Sequence, residues 1–206
     1  MNWDQLDKEL DRAAARAEVV TFHSHVPGMT VSVDTIQRVL AEAQARDLDF
    51  VTYAQLDDDL DHGALAYAFD DDAVGAWLTT QDLLAQYGAK VTYFVTRWQN
   101  MDDTARAGVH QLWDSGHDVE AHTVNHLHAV DYVAANGLPA YLADEVEPSL
   151  AIMTQEGFST GAFAFPFGET DPDITRAVLE HVHRVRIGPG DCPTDKATFG
   201  DADESD

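Results

Sequence analysis

The chain is poor in cysteine, in lysine and in long apolar runs. Among 206 residues there is one cysteine, Cys192, so no internal disulfide can form. No apolar stretch approaches the ~20 residues that a membrane-spanning helix needs. Positive charge is scarce as well. Twelve Lys+Arg, of which only Lys8, Lys90 and Lys196 are lysines, face 37 Asp+Glu, giving a formal net charge of -25. Such a surface repels nucleic acid and anionic membranes, so neither is an expected partner. Met1 to Arg16 is amphipathic and charged, without the apolar centre of a signal peptide, and the expected location is cytoplasmic. No internal repeat or linker interrupts the chain. The expectation is one domain over 1–190, followed by an acidic, flexible tail over 191–206.

Apolar residues are plentiful. At 45% of the chain they suffice for a core and exclude an acidic disordered protein. A folded chain with this much negative charge reads as one adapted to high salt. At molar ionic strength the Debye length shrinks to about 3 Å and self-repulsion is largely screened.

Apolar periodicity predicts helices over 4–17, 33–46, 74–87, 102–115, 127–135, 138–156 and 172–181. Between them lie strand-like runs at 19–22, 50–53, 64–69, 91–95, 118–121, 161–165 and 183–187. Seven alternations of strand and helix predict an α/β parallel architecture. Polar residues that could carry chemistry follow several different strands, which favours a distorted seven-stranded (β/α) barrel over an open sheet, because barrel loops converge on one face.

The chemistry concentrates in two places. The run Ala64-Leu65-Ala66-Tyr67-Ala68-Phe69 reads as a strand buried on both faces, and it ends abruptly in Asp70-Asp71. Downstream, His122-Thr123-Val124-Asn125-His126 sets two imidazoles four residues apart, on one face if the segment is helical. One carboxylate with two imidazoles is a ligand set suited to Zn2+, with a position left open for water. The second carboxylate is then free to act as a base. Asp57-Asp58-Asp59 reads as solvated surface. His62, His110, His128, His181 and His183 read as surface or packing residues, and Trp77 and Trp113 as core. Trp98 suits packing better than sugar stacking.

These segments resemble the polysaccharide deacetylase family, the carbohydrate esterases of family four. Ala68-Phe69-Asp70-Asp71-Asp72 is similar to its Thr-Phe-Asp-Asp-Gly motif. Gly116-His117-Asp118 leading into His122–His126 resembles its Gly-His-[Glu/Asp] and His-[Ser/Thr]-x-x-His elements. Ala164-Phe165-Pro166-Phe167-Gly168 resembles its Arg-x-Pro-Tyr-Gly motif. The likeness covers roughly residues 64 to 187. It implies a divalent-metal hydrolase, most simply zinc-dependent, that removes N-acetyl groups from N-acetylglucosamine-containing oligo- or polysaccharides. It further implies Asp71, His122 and His126 as metal ligands, Asp70 as general base and the Phe167 N–H as an oxyanion donor.

Three departures accompany the resemblance. Asp72 stands where the family has glycine. Ala164 stands where the family has the arginine that holds the base; Arg186 is the expected substitute, with Arg184 and Arg97 behind it. The family's closing Leu-x-x-His element, source of the general acid, is absent after residue 168. The segment Glu18 to Gly28, a strand ending in His23-Ser24-His25, is similar either to that closing section moved forward by circular permutation or to a leading segment. His25 is the expected acid, with His23 second. Two alternatives stay open: a deacylase of small non-sugar amides, and a catalytically silent glycan-binding domain.

Overall fold

The computed structural model describes residues 2–56 and 60–188. The Asp57-Asp58-Asp59 run, Cys192 and the expected tail lie outside the described residues. The chain divides into two compact units: Met1–Phe69 with Ala73–Thr92, and Asp70–Asp72 with Tyr93–Asp191.

In the first unit, helix α1 (Trp3–Arg16) begins where the Asn2 side chain accepts the Gln5 N–H. It buries Leu6, Leu10 and Ala13, a helical spacing that turns one face inward. Strand β1 (Val19–Ser24) follows, then α2 (Val33–Gln44), whose first turn is capped by the Ser32 hydroxyl. Burial of Ile36, Val39, Leu40 and Ala43 fixes the inner face of α2. Strand β2 is only Asp49–Phe50, shorter than expected, because Tyr53–Gln55 closes into a 3₁₀ turn. Strand β3 (Ala64–Asp71) is buried from Ala64 through Asp70. It pairs in parallel with β1, from Val19↔Ala64 to Ser24↔Phe69, and with β2. The continuous apolar run is thus a strand covered on both faces, as its composition predicts.

The helix expected over 74–87 is two helices, α3 (Val74–Leu78) and α4 (Gln81–Gln86). The break has a chemical cause. The Thr79 and Thr80 hydroxyls donate to the Ala76 and Trp77 carbonyls at 2.6 and 2.7 Å, and such bonds compete with the helix ladder.

The second unit carries β4 (Thr92–Val95) from Tyr93 on, α5 (Asp103–Asp114), β5 (Asp118–Ala121), α6 (Ala129–Asn136), α7 (Leu138–Tyr141), α8 (Glu147–Glu156), β6 (Ala162–Ala164), α9 (Pro172–Val178) and β7 (Arg184–Arg186). Its strands lie in the order β4-β5-β6-β7. The β5–β6 and β6–β7 pairs are parallel, with Ala121↔Phe163 and Ala164↔Arg186 in register. Between α7 and α8 the backbone opens into a single π turn over Leu142–Val146. Strand–helix alternation with parallel pairing is the β/α architecture expected from the sequence. Among the described residues, no helix is long and apolar enough to cross a membrane.

Strand β5 buries two carboxylates, Asp118 and Glu120, two residues apart and so on one face. Burial, and then the charge of Asp118, pushes Glu120 up to about 8; the Gly161 and Ala162 N–H groups and Arg184 pull the other way. A carboxyl raised on folding holds a proton that the unfolded chain releases. Its contribution is full below the ordinary value near 4.5 and is lost as the pH climbs through the interval up to about 8, at no more than about 1.4 kcal/mol per pH unit. Glu120→Gln keeps an acceptor for the Gly161 N–H, which lies 3.2 Å from Oε1. The variant should therefore melt higher than wild type at pH 8, with the gap closing toward pH 4.5. Thermal melts across that range check this, and a pH-independent difference would refute it.

Candidate active site

Asp70 and Asp71 end β3, His122 follows β5, Phe167 follows β6 and Arg186 ends β7. Each stands at the carboxyl end of a parallel strand. All belong to the second unit.

Asp71 Oδ1 lies 2.9 Å from His126 Nε2 and 3.6 Å from His122 Nε2. One ligand atom from each of the three residues falls within 4.8 Å of the others. Asp71 Oδ1 is buried and makes no hydrogen bond, although two ring nitrogens close on it. Burial works against the Asp71 charge, but His122 and His126 more than offset it and hold the carboxyl far below its usual range. An orphaned carboxylate oxygen facing two imidazole nitrogens is the arrangement expected of ligands that converge on a cation, so these residues fit a metal. The tautomer fits as well. His122 Nδ1 lies 2.8 Å from the Ala164 carbonyl oxygen, which can only accept, so Nδ1 carries the proton and Nε2 is left with its lone pair.

The expected helix between the two histidines does not form. Residues 122–128 are irregular, and both Thr123 (φ 64°) and His126 (φ 60°) take left-handed backbone angles. The His126 N–H donates to Thr123 Oγ1 at 3.0 Å. A tight loop, rather than a helical turn, turns the second imidazole back beside the first. Asp71 (φ 83°), Arg97 (φ 52°) and Phe167 (φ 59°) are also left-handed. Each such residue costs on the order of 1–3 kcal/mol. Five of the seven non-glycine residues of this kind among the described residues are in or beside this cluster. The departure at Asp72 is also resolved: the left-handed angle falls on Asp71, so position 72 has no need of glycine.

Asp70 is buried, and its Oδ2 accepts a 2.5 Å hydrogen bond from Arg186 Nη2. Arg186 is itself buried, with its guanidinium 5.4 Å from the centre of the Phe94 ring. Of the three arginines considered for the place vacated at Ala164, Arg186 is the one on Asp70. Arg97 instead meets Asp72 at 3.5 Å near the surface. Ala164 and Arg186 are direct partners on adjacent strands.

Phe163 and Phe165 are buried as expected, but Phe167 is 58% exposed. Its ring is stacked on His128 at 3.8 Å and meets the edge of His126 at 4.7 Å. His128, read as a surface or packing residue, is exposed and is gripped by Glu169 at 2.6 Å. Gly168 (φ +63°) follows at once; a side chain there would stand 2.5 Å from the Gly188 backbone, so the turn requires glycine. His25 follows the last paired residue of β1, and its carbonyl accepts the Trp77 indole N–H at 2.8 Å. It belongs to the first unit, as does His23.

Sequence reasoning missed Glu145. This carboxylate is buried in the π turn and accepts the Asn125 N–H and side-chain amide at 2.8 and 2.6 Å. In the sequence it is one acid among Asp144, Glu145 and Glu147, with nothing to single it out. Trp98 is buried, packed on Phe158 with ring centres 5.7 Å apart.

The strand ends therefore present a carboxylate–imidazole cluster of the kind found in metal-assisted hydrolases. The family model for polysaccharide deacetylase matches residues 57–185, and the chain belongs to that family. A polysaccharide deacetylase from Bacillus cereus is similar in structure, with a TM-score of 0.73 at 15% identity over 92% of this chain; the chain spans 66% of that structure. The deacetylase domain of a Bordetella bronchiseptica protein gives 0.62 at 14% identity, over 89% of this chain and 93% of the other. A de-N-acetylase from Aggregatibacter actinomycetemcomitans gives 0.65 at 13% identity, over 90% and 95%. At these identities the likeness establishes the β/α-barrel fold. No curated protein matches the chain.

Proposed function

We propose that this protein is a metal-dependent hydrolase that removes N-acetyl groups from N-acetylglucosamine-containing glycans, with Zn2+ as its metal. The observation that carries this reading is the convergence of Asp71, His122 and His126 beside a second carboxylate, Asp70, held by Arg186. Membership of the deacetylase family supports the substrate class.

Asp71, His122 and His126 would hold the metal. When bound, it would supply Lewis acidity, polarising the acetamide carbonyl and lowering the pKa of water from 15.7 to about 7. Asp70 would take the proton of the attacking water, its carboxylate held in place by Arg186. The Phe167 N–H would serve as a donor to the oxyanion that develops on the acetamide carbonyl. The departing amine needs a proton, a role to which a histidine side chain is suited. The exposed Phe167 ring, backed by His128, offers an apolar face for a sugar ring.

The test is acetate release from chitooligosaccharides by protein purified in molar salt. Activity should vanish with a chelator and return with added zinc. Metal-loaded protein that releases no acetate overturns the reading. Turnover of small amides instead would identify a deacylase, and sugar binding untouched by chelation would identify a binding domain.

A further inference from the structure

We infer that Glu145 is a positioning residue of the metal centre, acting on His126 through Asn125. The inference rests on the metal reading above and extends it to a residue that touches no ligand atom. Thr123 and His126 are both left-handed, and a β-branched threonine adopts that backbone only under constraint. Something must therefore hold the loop. The described contacts to its middle come from three side chains and one backbone group. Gln99 Nε2 donates to the Val124 carbonyl at 3.1 Å and to Asn125 Oδ1 at 3.3 Å, and the Arg97 N–H donates to the Val124 carbonyl at 3.1 Å. Thr123 Oγ1 holds the His126 N–H. Glu145 alone takes Asn125 by two bonds, one per carboxylate oxygen.

The chemistry of the grip is specific. A carboxylate only accepts, and Asn125 offers it two donors, the main-chain N–H and the side-chain amide. Glu145 is 1% exposed, and burying a carboxylate costs far less when each oxygen accepts a hydrogen bond in this way. Its place in the π turn is also informative, because an inserted residue in a helix re-aims side chains and recurs at functional sites. The next residue after Asn125 is His126, whose Nε2 lies 2.9 Å from Asp71 Oδ1. One peptide unit therefore separates the grip from a metal ligand.

Zinc affinity read by calorimetry, and the visible spectrum of the cobalt-substituted protein, test the inference without turnover. Glu145→Gln replaces one acceptor oxygen with a donor and sets it against a donor of Asn125. Its zinc Kd should rise about 10–100-fold, the usual cost of losing an outer partner, with a changed cobalt spectrum and unchanged far-ultraviolet circular dichroism. Adding Asn125→Asp restores the pairing with roles exchanged: the new amide oxygen at 145 accepts the main-chain N–H, and its NH₂ donates to the new carboxylate at 125. Net charge is that of the wild type. The double variant should recover wild-type affinity and spectrum, which a merely structural role for the buried acid does not require. Should Glu145→Gln fail to fold, Asn125→Ala removes one arm of the grip and should still weaken zinc binding.

Wild-type affinity in Glu145→Gln, no recovery in the double variant, or unchanged affinity in Asn125→Ala overturns the inference. A wild-type protein that binds no zinc instead sinks the metal reading itself, so the two failures are told apart.

Discussion

Asp70→Asn should lower kcat by about 10²–10⁴-fold, the usual worth of a positioned general base, while zinc stays bound. The two carboxylates that end β3 are adjacent in sequence but differ in surroundings. Asp71 Oδ1 faces His122 and His126. Asp70 faces Arg186 and contributes no atom to the three-residue cluster. Asn preserves the shape of Asp70 and keeps a carbonyl oxygen for the Arg186 Nη2 donor, but it cannot take a proton from water. The variant should therefore separate the two functions of the Asp-Asp pair. Asp71→Asn, by contrast, should weaken zinc binding along with activity. Zinc titration and acetate release on the same preparations check both. If Asp70→Asn keeps its activity, the base lies elsewhere; if it loses zinc, the division of labour between the two carboxylates is wrong.

How much of this was legible in the sequence depended on the range of the forces involved. Local patterns carried the elements. The run from Ala64 to Phe69 could only be a doubly covered strand, and the helical spacing of Ile36, Val39, Leu40 and Ala43 marked the inner face of α2. The Asp-Asp and His-x-x-x-His spacings marked the site because charge at the end of a buried strand is costly without a role. What resisted reading was set by side chain against backbone or by strands far apart in the chain. The threonine bonds that divide the 74–87 helix compete with a helical propensity that a pattern sees as continuous. The loop between His122 and His126 depends on two left-handed residues and on Glu145, twenty positions away. Spacing alone cannot distinguish that loop from a helical turn, since both return the fifth residue to the first. His128 reads as a surface or packing residue, and nothing in the sequence places its ring on Phe167. The arginine missing at Ala164 directs attention to Arg186, which the strand register places directly across.

That substitute leads to the second large effect. Arg186→Met should cost about 3–5 kcal/mol of unfolding free energy, the range for removing one partner of a buried ion pair. Arg186 and Asp70 have side chains only 5% and 2% exposed, so water cannot replace the lost guanidinium. Methionine fills much of the same volume, so the loss would report charge rather than packing. Turnover should fall as well, because a buried carboxyl deprived of its cation takes up a proton and can no longer accept one. The double variant, Arg186→Met with Asp70→Asn, should be more stable than Arg186→Met alone, since no uncompensated charge remains. Salt supplies a further discriminator. Surface ion pairs such as Arg176–Asp173, with side chains more than 70% exposed, are screened at high ionic strength. The Arg186–Asp70 coupling should persist in molar salt, because neither group meets the solvent ions. Denaturant unfolding of wild type, the two single variants and the double variant, at low and high salt, gives the coupling directly. A coupling near zero, or one that disappears in salt, would show that Arg186 does not hold Asp70. The β7 arginine could then not stand in for the arginine that the third motif lacks.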